Sequence, residues 1–291
     1  MLTDAEVPAV WRQLGLPGLV DIHVHFLPAP MLAKVWRYFD DAERHYGLAW
    51  PIQYRTSEAD RLATLAELGV RHFPTLCYPH KPGMAAGLND WCAEFAAGRP
   101  QVVHSGTFFC EPSAASDVRA ALAAGARVFK VHVQVGGFDP SDELLDRAWG
   151  LLAEAGVPVV VHCGSGPLPG RHTGPGPIGE VLRRHPTLTA VIAHAGAPEY
   201  AEHLALARRY RNVRLDTTMV GTGFLNRLAP IPAEVLRGYR ELADRIVLGS
   251  DFPNIPYSYA HQIQSLIDWE FGDDWLRAVL WHNGAALIGS S

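Results

Sequence analysis

Several absences narrow the field before any motif is read. No apolar run is long enough to cross a bilayer as a helix, so a polytopic helical membrane protein is excluded. There is no basic excess: 25 Lys and Arg stand against 30 Asp and Glu, with a formal net charge of −5 and the two signs interspersed. A surface that tracks phosphates needs a basic face, so nucleic acid is not an expected partner. Cysteine is scarce, four in 291 residues, and Cys77, Cys92, Cys110 and Cys163 form no Cys-x-x-Cys pair. Most lie in or beside apolar runs, where reduced, buried thiols of a cytoplasmic protein are the expectation. The stretch from Met1 to Leu16 has acids and a Trp but no basic-then-apolar leader pattern. Finally, no Gly-x-Gly-x-x-Gly follows the first predicted strand, which removes the main support for a dinucleotide-binding open sheet.

What is present is a globular composition, 48% hydrophobic and 19% charged, with ample material for a core. Short apolar runs alternate with helical patterns. Strands are predicted at 18–26, 71–78, 101–109, 127–134, 158–163, 189–195, 213–218 and 245–250. Helical spacing follows each, for example over 58–68 with a stop at Gly69, and over 142–155 with Ser141 as N-cap and Gly156 as stop. Runs such as Val159-Val160-Val161 and Val191-Ile192-Ala193 are apolar throughout, as strands buried on both faces are. Eight strand–helix units in this length predict an α/β fold, a (β/α)8 TIM barrel forming one domain over 1–291. Two connections exceed what a barrel needs. The segment at about 27–57, with Trp36, Tyr38, Phe39, Tyr46, Trp50 and Tyr54, reads as an inserted subdomain, a dimer contact or a lid. The Gly/Pro-rich segment 164–179 reads as a loop at the barrel mouth.

Barrel chemistry gathers at the C-terminal ends of the strands. Strand one ends in Asp21-Ile22-His23-Val24-His25, and side chains two apart share a face, so His23 and His25 can grip one cation. Strand five ends in His162, strand six in His194 and strand eight in Asp251. A lone buried His is ordinarily just a hydrogen-bonded core residue. Four strands that each end in an imidazole or a carboxylate instead indicate a shared site for Zn²⁺ or a related divalent ion.

In order along nearly the whole chain, Val20-Asp21-Ile22-His23-Val24-His25, Phe129-Lys130-Val131-His132, Pro158-Val159-Val160-Val161-His162, Ala193-His194-Ala195-Gly196 and Leu248-Gly249-Ser250-Asp251-Phe252-Pro253 resemble the amidohydrolase superfamily. The similarity is to the branch of aminocarboxymuconate-semialdehyde decarboxylase-like metal-dependent hydrolases. It implies that His23, His25, His162 and Asp251 ligate one divalent metal, Zn²⁺ before Mn²⁺ or Fe²⁺. It also implies that His194 carries the proton of the attacking water, with Asp251 able to share that work. Lys130, at the end of strand four, is carboxylated and bridges two metals in some such barrels; here one metal is expected and Lys130 is a substrate contact. His132 reads as supporting. Arg171 and His172 in the loop after strand five are candidates for a substrate carboxylate, and Asn254 is a further substrate contact. Tyr78, His80 and Glu111 are weaker candidates, and His45, His185, His203, His261 and His282 read as surface or core.

The expected function is hydrolysis of a small ester, lactone or amide. The alternative is metal-dependent non-oxidative decarboxylation of an aromatic or unsaturated acid. More remote is a barrel that binds without turning over. The expected partner is a small molecule, neither nucleic acid nor membrane, with a homodimer conceivable through the aromatic segment.

Overall fold

Strands that are apolar on both faces must be covered on both. In the computed structural model, which describes residues 1–289, all the strand pairs run parallel and helices take the outer face. Leu19–Val20, Val70–Pro74 and Val102–Val103 pair in that order. Ser105–Thr107, Val128–His132, Val159–His162, Ala190–Ile192, Arg214–Asp216 and Ile246–Val247 then pair in that order. Only His104 separates 102–103 from 105–107, so one strand joins the two groups and the barrel has eight. The ring closes beyond the first and last assigned strands: Ile22 N–H donates to Leu248 O (2.8 Å), Asp251 N–H to His23 O (2.8 Å) and His25 N–H to Phe252 O (2.7 Å). Val24 and Phe252 form a parallel bridge there. The predicted (β/α)8 barrel is the observed fold.

Strand alternation sorts the side chains. Val20, Val103, Val128, Val160, Val191 and Val247 pack together inside the ring. Phe129, Val131, Val159, Val161, Ala190 and Ile192 belong to the outer cluster under the helices. Period two therefore aims Lys130 and His132 inward after Val128, and His162 inward after Val160.

The helix over 58–68 is as predicted: Ser57 Oγ accepts from Asp60 N–H (3.1 Å), and Gly69 ends it at φ 85°. The helix Glu143–Ala155 is capped by Asp142, whose carboxylate accepts from Leu144 N–H (2.9 Å), and not by Ser141, which instead bonds Asp139. Helix Pro175–Arg184 starts earlier than the predicted 179, because Pro175 suits the first turn, where its missing N–H would have had no intrahelical acceptor. The segment after strand one forms helices Ala29–Asp40 and Ala42–Tyr46. Among the described residues no helix is long and apolar enough to cross a membrane.

One buried carboxylate ties the closure. Asp21 accepts from Ser250 Oγ (2.6 Å), Tyr259 Oη (3.0 Å) and the His23 N–H (3.0 Å), joining strand one to the strand-eight loop and to helix Tyr259–Ile267. Burial pushes its carboxyl up to about 7 despite those donors. Asp21→Ala strands two buried hydroxyls, and a loss of about 2–4 kcal/mol in chemical denaturation is expected; a loss under about 1 kcal/mol would show that the ladder closes the barrel unaided.

Candidate active site

Closure brings the two ends of the chain's motif set together. Each of three imidazoles spends its Nδ1 on a buried acceptor: His23 on Asp216 Oδ2 (2.8 Å), His25 on Leu76 O (3.0 Å) and His194 on Thr218 O (3.2 Å). With the proton on Nδ1, each Nε2 presents a lone pair, the arrangement that orients a metal-binding imidazole. His25 Nε2 lies 3.0 Å and His23 Nε2 3.6 Å from Asp251 Oδ1. His23, His194 and Asp251 each offer a donor atom, and these atoms lie within 4.8 Å of one another.

The backbone is bent to achieve this. His194 (φ 53°) and Asp251 (φ 70°) are both left-handed, an uncommon state for residues with a side chain. Two buried bonds hold them: His194 N–H donates to Asp216 Oδ1 (2.8 Å), and Asp251 N–H to the strand-one carbonyl of His23. Asp216, fully buried at the end of strand seven, thus organises both His23 and His194, and it also accepts from Thr218 N–H (3.1 Å). Sequence reading passed it over, although it carries the signal that identified the others, an acid at a strand's C-terminal end.

Burial keeps His23, His132, His162 and His194 neutral. It holds His23, His132 and His162 well below the usual histidine range and lowers His194, with neighbouring cationic groups adding to the effect. Burial alone would raise the Asp251 carboxyl, but its close contact with His25 and the nearby imidazoles of His23 and His194 outweigh it and hold the carboxyl below the ordinary carboxylate range. Lys130 is completely buried with Nζ 3.2 Å from His23 Nε2, and burial pushes its ammonium down to about 8.

The remaining expected residues divide. His162 borders the same cavity, but its ring stacks on His132 (centroids 3.9 Å apart, 12° between planes) and its Nε2 faces Gly166 O (3.3 Å). It stands outside the three-residue donor group, with its ring 4.7 Å from that of His194. Lys130 and Asn254 border the cavity, whereas Arg171 and His172 do not: Arg171 is exposed and His172 faces Asp139 (3.5 Å). Their loop borders the cavity through Gly164, Gly166 and Pro167, and the expected carboxylate contact of Arg171 is not among the lining side chains. Tyr78 packs edge-on against His25 and borders the cavity, as does His80; Glu111 instead accepts from Gly83 N–H outside it. His203 is a core residue beside Cys163, and His185 pairs with Asp146.

The cavity over this floor holds about 790 Å³. Its roof is the segment after strand one, which places Met31, Val35, Phe39 and Trp50 along it. The roof is pinned to the loop that carries Asp251. Trp36 Nε1–H donates to Asn254 Oδ1 (3.1 Å), and Trp50 Nε1–H to Asn254 O (2.6 Å). The Asn254 carboxamide oxygen is therefore occupied by the roof. Of the readings open for this segment, its position over the cavity matches the lid.

The donor set fits a divalent ion on chemical grounds: neutral imidazoles with free Nε2 atoms beside an ionised carboxylate, each oriented by a second buried bond. The amidohydrolase family model matches residues 20–289. No curated protein matches the chain in sequence. Solved structures do match in fold. An uncharacterised TIM-barrel protein of Bordetella bronchiseptica superposes at TM-score 0.77 and 19% identity, covering 94% of this chain and 98% of that one. A probable 2-pyrone-4,6-dicarboxylic acid hydrolase of Acinetobacter baumannii, solved with citric acid, gives 0.62 and 14%, covering 94% and 99%. The 5-carboxyvanillate decarboxylase of Novosphingobium aromaticivorans, solved with manganese and a nitrobenzoic acid, gives 0.65 and 14%, covering 94% and 97%. At such identities these three establish the barrel. The family match extends over nearly all of the chain, and the protein is a member of the amidohydrolase family of metal-dependent enzymes.

Proposed function

We propose that the protein hydrolyses a small-molecule ester, lactone or amide, as one barrel domain with residues 27–57 inserted as its roof, acting in the cytoplasm. The observation that carries this is the meeting of His194 with Asp251 and His23 at the floor of a roofed cavity. In this reading His23, His25, His162 and Asp251 hold one ion, zinc before manganese or iron because imidazole and carboxylate donors suit it. When bound, that ion supplies a Lewis acid for the carbonyl and acidifies the attacking water toward neutral pH.

The chain's own residues do the rest. His194, neutral and with Nε2 unprotonated, accepts the proton of the attacking water and later delivers it to the leaving oxygen or nitrogen. The water oxygen forms the new bond to the carbonyl carbon as the bond to the leaving atom breaks. Asp216 keeps His23 and the His194 backbone in register, so the proton carrier does not drift from the floor. The roof excludes bulk water, and the Asn254 clamp ties its closure to the segment bearing Asp251. Decarboxylation would need a partner for a carboxylate close to the floor. The cations bordering the cavity are Lys130, which abuts His23, and Lys34 on the exposed side of the roof helix.

Two measurements follow. Elemental analysis should find about one metal per chain in the wild type and in His194→Ala, and little in His162→Ala or in the His23→Ala, His25→Ala double variant. Metal retained by His162→Ala and lost from His194→Ala would exchange the roles of these two residues. On a panel of esters, lactones, amides and aromatic acids, wild type should hydrolyse at least one member, and His194→Ala should lower kcat by about 10²–10⁴-fold with metal retained. Release of CO2 from an aromatic acid, with no hydrolysis across the panel, would replace this reading with decarboxylation.

A further inference from the structure

The cavity is far larger than one carbonyl group requires, and what borders it is uneven. Its formal charges lie at two places. Asp251 and Lys130 are at the floor, and Lys34 is on the solvent-exposed side of the roof helix. Between them the walls are apolar on three sides. The roof contributes Met31, Val35, Phe39 and Trp50. Met84 and Leu88 face it from the start of helix Ala85–Ala96, and Leu225 and Leu228 from the short helix after strand seven. The phenol of Tyr78 is pushed up by burial, and so stays uncharged.

The same character continues to the rim. Past the N-terminal Met, four large apolar side chains are strongly exposed among the described residues, and two of them, Tyr38 (48%) and Val135 (43%), border the cavity. A third, Leu168 (40%), follows Pro167 of the lining, and its carbonyl accepts from the Gln134 side chain. Apolar surface therefore extends from near the reacting floor to the rim, with His80, Gln134 and Lys34 as polar neighbours along the cavity. A charged group placed between the floor and the rim, short of Lys34, would lose its hydration with no ionic partner to replace it, while each methylene laid there leaves water.

Resting on the hydrolytic reading above, we propose that the substrate is a neutral ester or lactone bearing a long alkyl or arylalkyl chain. Its carbonyl sits at the His194–Asp251 floor and its apolar body lies under the roof toward Tyr38 and Val135. Water supplies the oxygen to the carbonyl carbon, the carbon–alkoxy bond breaks, and the alkoxy oxygen takes the proton through His194. The products are an alcohol (a hydroxy acid from a lactone) and a carboxylate.

The test uses the metal-loaded full chain on 4-nitrophenyl esters from acetate to decanoate and on γ-lactones with methyl to octyl side chains. Each is paired with a counterpart ending in a carboxylate. The expected result is a rise in kcat/KM of about fourfold per methylene until the cavity fills, which corresponds to about 0.8 kcal/mol per buried CH₂. The carboxylate-ended counterparts should be worse by at least about tenfold. Val35→Asp, a roof change away from the donor group, should keep the metal and flatten the chain-length dependence. A flat series in the wild type, or a preference for the carboxylate-ended compounds, overturns the proposal. Methyl alkyl ketones, which cannot be hydrolysed, separate the two claims by calorimetry. Affinity that climbs with ketone length while no ester or lactone is cleaved sustains the substrate class and removes hydrolysis. Cleavage without length dependence does the reverse.

Discussion

The site depends on the pairing of the first strand with the last. Hydrogen bonds from Ile22 to Leu248, Asp251 to His23 and His25 to Phe252 close the barrel. The same three bonds set a histidine pair near the chain's start beside a carboxylate more than two hundred residues later. Asp21 reinforces this from beneath by taking Ser250 and Tyr259 as donors. Geometry of the donor group is thus a consequence of barrel closure, and a protein that failed to close would have no site to lose.

A second constraint is electrostatic. Gathering five histidines, a lysine and two carboxylates under a roof takes each away from water, which opposes charge on all of them. The structure answers by keeping His23 and His194 neutral, by giving the Nδ1 atoms of His23, His25 and His194 the acceptors Asp216, Leu76 and Thr218, and by setting Asp251 among these rings. Neutral nitrogen donors and one anionic oxygen are what a divalent cation binds. The left-handed backbone at His194 and Asp251 is strain of the kind that surrounding structure over-determines at working sites.

Much of this was legible in the chain because strand alternation is a short-range rule. His23 and His25 are two residues apart, and Lys130, His132 and His162 sit at the ends of apolar runs whose inward phase is set by Val128 and Val160. The barrel followed from eight such runs. What could not be read depends on long-range packing. Asp216 resembles any acid that follows a strand until its neighbours on strands one and six are known. Asn254 resembles a substrate contact until Trp36 and Trp50 arrive from some two hundred residues away. Arg171 has suitable chemistry, but a loop rich in Gly and Pro carries no periodicity to say which way it faces, and it faces solvent. The turn of His162 toward His132 and Gly166 is likewise invisible to alternation, which fixes the face of a strand but not the rotamer.

The most direct test of the account is a crystal of the metal-loaded protein, with anomalous scattering measured on both sides of the absorption edge of the bound metal. The account predicts one peak per chain, about 2.0–2.2 Å from a ring nitrogen of each of His23, His25 and His162 and from an Asp251 carboxylate oxygen, under the roof pinned by Asn254. A peak at some other cluster, or no peak there in crystals of protein that retains its activity, would contradict it.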